Sequence, residues 1–106
     1  MVLCNAIRAR RLVRFVYDGY ERVVEPHAYG VTRDGRELLT GWLVGGWSAS
    51  ALEAGWRSYH VDQMHDTAAT ATDFRGPRAG YNPHDPRLAQ VYCHLEPDQA
   101  APTVSP

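Results

Sequence analysis

Between Leu12 and Tyr29 the chain reads LVRFVYDGYERVVEPHAY, two alternating apolar and polar runs hinged on Asp18-Gly19. An Asp-Gly pair supplies positive φ at both central positions of a type I′ turn, whose twist suits a β-hairpin. Val13, Phe15 and Tyr17 fall on one face of the first run, Arg14 and Val16 on the other. A chain that opens this way starts with antiparallel pairing. The second run carries Pro26 in its middle, and a residue without an N–H marks an edge, a bulge or a bend. His27 and Tyr29 follow closely.

The hairpin pattern repeats. A second Asp-Gly turn in TRDGRE leads into the strand ELLTGWLVGGW, in which Gly41, Gly45 and Gly46 suggest a bend. SASALEAG reads as a small-residue loop, WRSYHVDQM alternates again, and HDTAATATDF is a weaker strand closed by Phe74. In WRSYHVDQM, Trp56, Ser58 and His60 face away from Arg57, Tyr59 and Val61. Ahead of the hairpin, VLCNAIRARR can form a short helix with Leu3, Ala6 and Ile7 on one face. Short strands joined by tight turns predict a mostly β fold, a five-stranded antiparallel meander curling into a small barrel. After Phe74 the chain is punctuated by prolines. Asp85-Pro86 can cap a short helix over 86–94, the favoured expectation, with an edge strand as the alternative.

The 106 residues suit one domain, taken as 1–95, and the proline-rich tail 96–106 is expected to be disordered. The net charge of −1 announces no polyanion binder, but arginine supplies every basic side chain, and its planar fork suits phosphate and carboxylate. Up to Arg36 there are seven arginines against four acids. Cys4 and Cys93 are distant in sequence and form no CxxC pair. A disulfide between them is unforced, and a reduced, cytoplasmic setting fits better. No secretion signal or membrane span is visible, because Arg8, Arg10 and Arg11 interrupt the N-terminal apolar run.

Catalytic groupings are not apparent. No serine sits in a nucleophile elbow, and Cys93-His94 are neighbours whose side chains diverge on a strand or a helix. The histidines, among them His60, His65, His84 and His94, show no metal-ligand spacing, so neither a metal nor a cofactor is expected. What remains is a polar and aromatic constellation of Tyr17, Arg22, His27, Tyr29, Arg57 and Tyr59. Arginine forks bind phosphate and aromatic faces stack bases. The same residues could equally be core rings and solvated cross-strand partners of Glu21, Glu25 or Asp62.

Three segments, AI..RR.V.F.Y.G..R.VEPH.YG, WR.Y.VD.M and F.GPR.GYNP.D, follow one another in an order that resembles the WYL domain. The match runs from about Ile7 to Phe74, and the segment beyond is similar to the extension of small stand-alone relatives. The resemblance implies a bacterial module with a Src-homology-3-like or Sm-like barrel, usually found behind a helix-turn-helix domain in transcription regulators. With only about eleven residues ahead of the first strand, it implies a form without its own DNA-reading part. It further implies a non-enzymatic, regulatory ligand-sensing groove for a nucleic acid or nucleotide-like anion. His27, Tyr29 and Arg57 stand at retained positions. The family's naming tripeptide falls on Glu37, Leu38 and Leu39, keeping only the leucine, and Gln63 replaces a usual arginine. The alternative expectation is a protein-interaction or homo-oligomerisation module using the apolar run from Trp42 to Trp47.

Overall fold

The computed structural model describes residues 2–45 and 53–96. Helix α1 (Val2–Ala9) is followed by strands β1 (Arg11–Tyr17), β2 (Tyr20–Val31), β3 (Glu37–Gly45), β4 (Gly55–His60), β5 (His65–Asp73) and β6 (Gln90–His94). The fold is mostly β and antiparallel, with one short N-terminal helix. Most of the expected SASALEAG loop, Gly46, Trp47 and the tail from 97 onward lie outside the described residues.

The hairpin expectation holds in detail. Asp18 and Gly19 take φ of 53° and 82°, and Tyr17 pairs with Tyr20 across them. The strands run in the order β4-β3-β2-β1-β5, with β6 added to β2. Among the described residues β4 and β5 do not pair with each other, so the sheet is not closed. A single 3-10 turn, Val61–Gln63, joins them.

β2 organises the sheet. Its first half pairs with β1 from Tyr20 to Val24, its second half pairs with β6 from Ala28 to Val31, and β3 runs along its other edge from Val23 to Val31. Pro26 sits where the partner changes. The register with β3 slips between Pro26 and Ala28, leaving His27 as the extra residue of a bulge. Opposite Pro26 stands Gly41, where a Cβ would come within 2.5 Å of the Glu25 carbonyl oxygen. Only glycine lets the two strands approach so closely there.

The 86–94 segment corrects the helix expectation. Asp85 caps one turn, accepting from the Arg87 N–H at 2.9 Å, and the chain then extends. Val91 and Cys93 alternate inward against Tyr92 outward, which is a strand period. The second half of β2 presents an unfilled edge once β1 has ended, and pairing with it outweighs the weak local helix signal. The sheet therefore has six strands rather than five.

Ile7, Val13, Phe15, Val24, Tyr29, Leu39, Leu43 and Tyr59 fill the core, with Leu3 and Cys4 of the helix laid over them. An eight-residue helix is not stable by itself in water. Burying Leu3 and Ile7 stabilises it by about 1.5–3 kcal/mol each, and Arg10 ends it in a left-handed conformation at φ 56°. No described helix is long and apolar enough to cross a membrane.

Cys4 and Cys93 are joined in a disulfide across a Cα separation of 5.7 Å, the pairing that the sequence left possible but unforced. The bond ties α1 to β6, elements that sequence distance had hidden from each other. It also removes the cysteine argument for a reducing compartment. Crosslinking across 89 residues restricts the unfolded chain by about 4 kcal/mol on a chain-entropy account. Replacing both cysteines by serine should lower unfolding stability by an amount approaching that figure in urea titrations. The reductant sensitivity of the native protein should vanish in the variant.

Candidate functional site

The bulge turns His27 into the interior, where it has no solvent exposure. Its ring packs edge-on to Trp56 at 4.7 Å and Tyr81 at 5.2 Å and stacks beside Phe74 at 5.8 Å. The backbone N–H of Arg78 donates to Nε2 at 3.1 Å, so that nitrogen carries no proton. Nδ1 therefore bears the proton and donates to the Glu25 carbonyl at 2.8 Å. Burial pushes the imidazole below its ordinary 6.5, the Glu25 carbonyl bond and carboxylate oppose this, and Arg78 adds to it. His27 is a neutral anchor.

What it anchors is the segment after Phe74, folded back over the outer face of the sheet. Arg78 forks onto Glu25 with two bonds of 2.8 Å and lies 4.9 Å over the Trp42 ring. The Trp56 indole donates to the Ala79 carbonyl at 3.0 Å, and the Tyr81 hydroxyl donates to the Leu95 carbonyl at 2.8 Å. Tyr81 is pushed up to about 12, first by burial. Arg78, Trp56 and Tyr81 were absent from the candidate set. A signal for them existed in GPR.GYNP, whose prolines and glycines announce a fixed irregular path.

The other candidates separate. Tyr29 lies in the core, donates to Glu37 Oε1 at 2.7 Å, touches Tyr92, and is pushed up to about 12 chiefly by burial. It contacts neither His27 nor Arg57 among these interactions. Arg57 and Trp56 are consecutive on β4, so they leave opposite faces of the strand. His27 packs on the Trp56 side. The expected convergence of His27 with Arg57 is not what the fold provides.

Four of the six do cluster. Tyr59 packs edge-on against both Phe15 and Tyr17 at 4.9 Å. Arg22 is buried and donates from Nε and Nη2 to the Tyr17 carbonyl at 3.3 and 2.9 Å, with its charge 5.9 Å from the Tyr17 and Tyr20 rings. Arg57 donates to the carbonyls of Trp56 and Glu53 at 2.9 and 2.8 Å. Both guanidinium charges, and the approach of an Arg22 N–H to the Tyr59 phenol oxygen, pull its ionisation down, but burial is the larger effect and holds it above the ordinary 10.0. It stays a protonated donor. Its hydroxyl is buried and, among the described residues, makes no well-formed hydrogen bond: Arg22 can only donate to it, so its O–H has no acceptor. Among the described residues neither Arg22 nor Arg57 forms an ion pair, and nor do Arg8, Arg10, Arg33 and Arg75, whereas Arg11, Arg14, Arg36, Arg78 and Arg87 do.

Among the described residues no three His, Cys, Asp or Glu side chains converge as metal ligands. Of the apolar run from Trp42, Trp42 itself lies beneath Arg78 while Val44 is exposed. Comparison with protein-family models, with curated proteins and with solved structures gives no match.

The anchor has a pH signature. Above about 6.5 both folded and unfolded His27 are neutral, and its contribution to stability is complete. As pH falls below that value the unfolded chain takes up the proton first, so stability declines until the lower folded pKa is passed. The thermal unfolding midpoint of the native protein should therefore fall on acidification below about pH 6.5. His27→Gln should flatten that part of the slope. His27→Ala should cost about 2–4 kcal/mol at pH 8 by emptying the aromatic box and orphaning the Arg78 N–H.

Proposed function

We propose that this protein is a non-enzymatic binding module that takes an anionic, phosphate-bearing ligand, a nucleotide or a single-stranded nucleic acid, at the Tyr17–Arg22–Arg57–Tyr59 cluster. One observation carries the proposal: among the described residues, a buried, protonated phenol whose O–H has no acceptor lies under the influence of two arginines that have no carboxylate. A buried hydroxyl left unpaired costs about 1–3 kcal/mol, so the arrangement is better explained by a ligand oxygen than by packing. Phosphate oxygens would accept from Tyr59 and from the free N–H groups of the guanidinium forks. Tyr20, half exposed beside Arg22, offers a ring face on which a base can stack.

The regulatory reading rests on the WYL resemblance, to which the sharply bent second strand and the short β4–β5 turn are congenial. On that reading the sheet is a small barrel of the Src-homology-3-like kind, and the anion site is the place where a signal is sensed. His27 and Tyr29 belong to its framework, not to its contacts.

Tyr59→Phe tests the reading sharply, because the two accounts of the hydroxyl differ in sign. The free variant should be as stable as the native protein or about 1 kcal/mol more so, while its affinity for a labelled short oligonucleotide falls in fluorescence polarisation. Arg57→Ala should abolish binding with the fold intact, and native binding should weaken as salt rises. Salt-insensitive or negligible binding by the native protein would remove the nucleic-acid form of the proposal.

A further inference from the structure

The returning segment and β3 and β4 enclose a cleft of about 500 Å³, to whose lining Arg57 of the arginine cluster also belongs. Volumes of roughly 300–1,000 Å³ are ordinary for small-molecule sites. Thr40 and Ser58, cross-strand neighbours with hydroxyls 3.5 Å apart, line it on the sheet side. Trp56 and Tyr81 contribute rings inclined by only 20° with centroids 6.4 Å apart. Asp85 and Arg87 come from the returning segment.

The polar side of the cleft is built and electrically closed. Asp85 accepts from Arg87 Nη2 at 2.6 Å and from Nε at 3.1 and 3.2 Å, and Arg87 Nη1 donates to Ser58 at 2.7 Å. The carboxylate holds the guanidinium flat and cancels its charge, while one N–H on each terminal nitrogen stays available. The Arg87 side chain is about half exposed, so those donors can be reached. A second anion has little to gain from Arg87. A neutral ligand rich in hydroxyls can accept from Arg87 and exchange hydrogen bonds with Thr40 and Ser58.

The rings set the ligand's shape. A flat ring between two others needs about 3.5 Å on each side, more than the 6.4 Å spacing of Trp56 and Tyr81 allows. They act as a one-sided apolar wall. Gly80 makes the wall compact: its φ is +90°, and a Cβ there would stand 3.1 Å from the Trp56 indole nitrogen. A ring with an apolar C–H face and a hydroxyl-bearing rim matches a wall on one side and Ser, Thr and Arg on the other.

We propose that this cleft is a carbohydrate subsite that takes a neutral pyranose, with its C–H face on Trp56 and Tyr81 and its hydroxyls on Arg87, Ser58 and Thr40. The cleft shares Arg57 with the anion site, but Arg87, Ser58 and Thr40 are its own, so variants at Arg87 and Arg22 tell the two sites apart. The test is a ¹H–¹⁵N NMR titration of the full chain with glucose, galactose, N-acetylglucosamine and their disaccharides, with adenosine and uridine as the comparison. At least one sugar should shift the Trp56 indole N–H and the Ser58 amide in a saturable manner. Arg87→Ala should weaken that binding about tenfold or more, the loss of a hydrogen bond to a charged group, and leave oligonucleotide binding unchanged. Arg22→Ala should do the reverse. Shifts with nucleosides but no sugar, no saturable shift at all, or sugar binding indifferent to both Arg87→Ala and Ser58→Ala would each overturn the proposal.

Discussion

The architecture depends on one strand changing partners midway. β2 needs an edge partner on both halves, but β1 is too short to serve both, and Pro26 stands at the break. The bulge beside it inserts His27 as an extra residue, and the bulged side chain must go somewhere. It goes inward, where its ring is completed by Trp56, Phe74 and Tyr81 and its acceptor nitrogen by the Arg78 N–H. A defect in strand pairing thus becomes the attachment point of the returning segment. The same segment then supplies Tyr81, Asp85 and Arg87 to one cleft and leads β6 into the vacant edge.

Charge is distributed with the same economy. Glu25 sits deep enough that an unpaired carboxylate would be costly, and the Arg78 fork satisfies both oxygens while covering Trp42. Glu21, Asp62, Asp73 and Asp85 each take an arginine at the surface, where such pairs contribute little. Among the described residues Arg22 and Arg57, like Arg10, stand outside this scheme and donate to backbone carbonyls. Carbonyl contacts fix a guanidinium in place without neutralising it. Among the described residues these two charges have no carboxylate and act on the Tyr59 phenol, whose O–H has no acceptor.

Much of the sheet was legible in the sequence because strand periodicity and Asp-Gly turns are local signals. The facing of Val13, Phe15 and Tyr17, the turn at Asp18-Gly19, and the opposition of Trp56 to Arg57 all follow from spacing alone. Pro26 announced a bend, but not that a bulge would bury the next residue. That outcome depends on Trp56 and Arg78, which lie far along the chain. β6 was obscured for the same reason: Asp85-Pro86 carries a real capping signal, and only the vacant edge of β2 decides against a helix. The Cys4–Cys93 pairing depends on β6 being a strand, so it was hidden with it. Of the candidate site, Arg22, Arg57, Tyr17 and Tyr59 form a group, whereas His27 and Tyr29 resemble ligand-binding residues by type and are framework by position.

The central claim is that a neutral His27 with an unprotonated Nε2 holds the returning segment to the bend in β2. Long-range ¹H–¹⁵N correlation spectroscopy of the histidine rings at neutral pH measures this directly, combined with hydrogen exchange at the Arg78 amide. The account predicts the Nδ1–H tautomer for His27, an acceptor-type Nε2 shift, and an Arg78 amide protected as strongly as those of β2. An Nε2–H tautomer, or an imidazolium at pH 7 with a freely exchanging Arg78 amide, would contradict it.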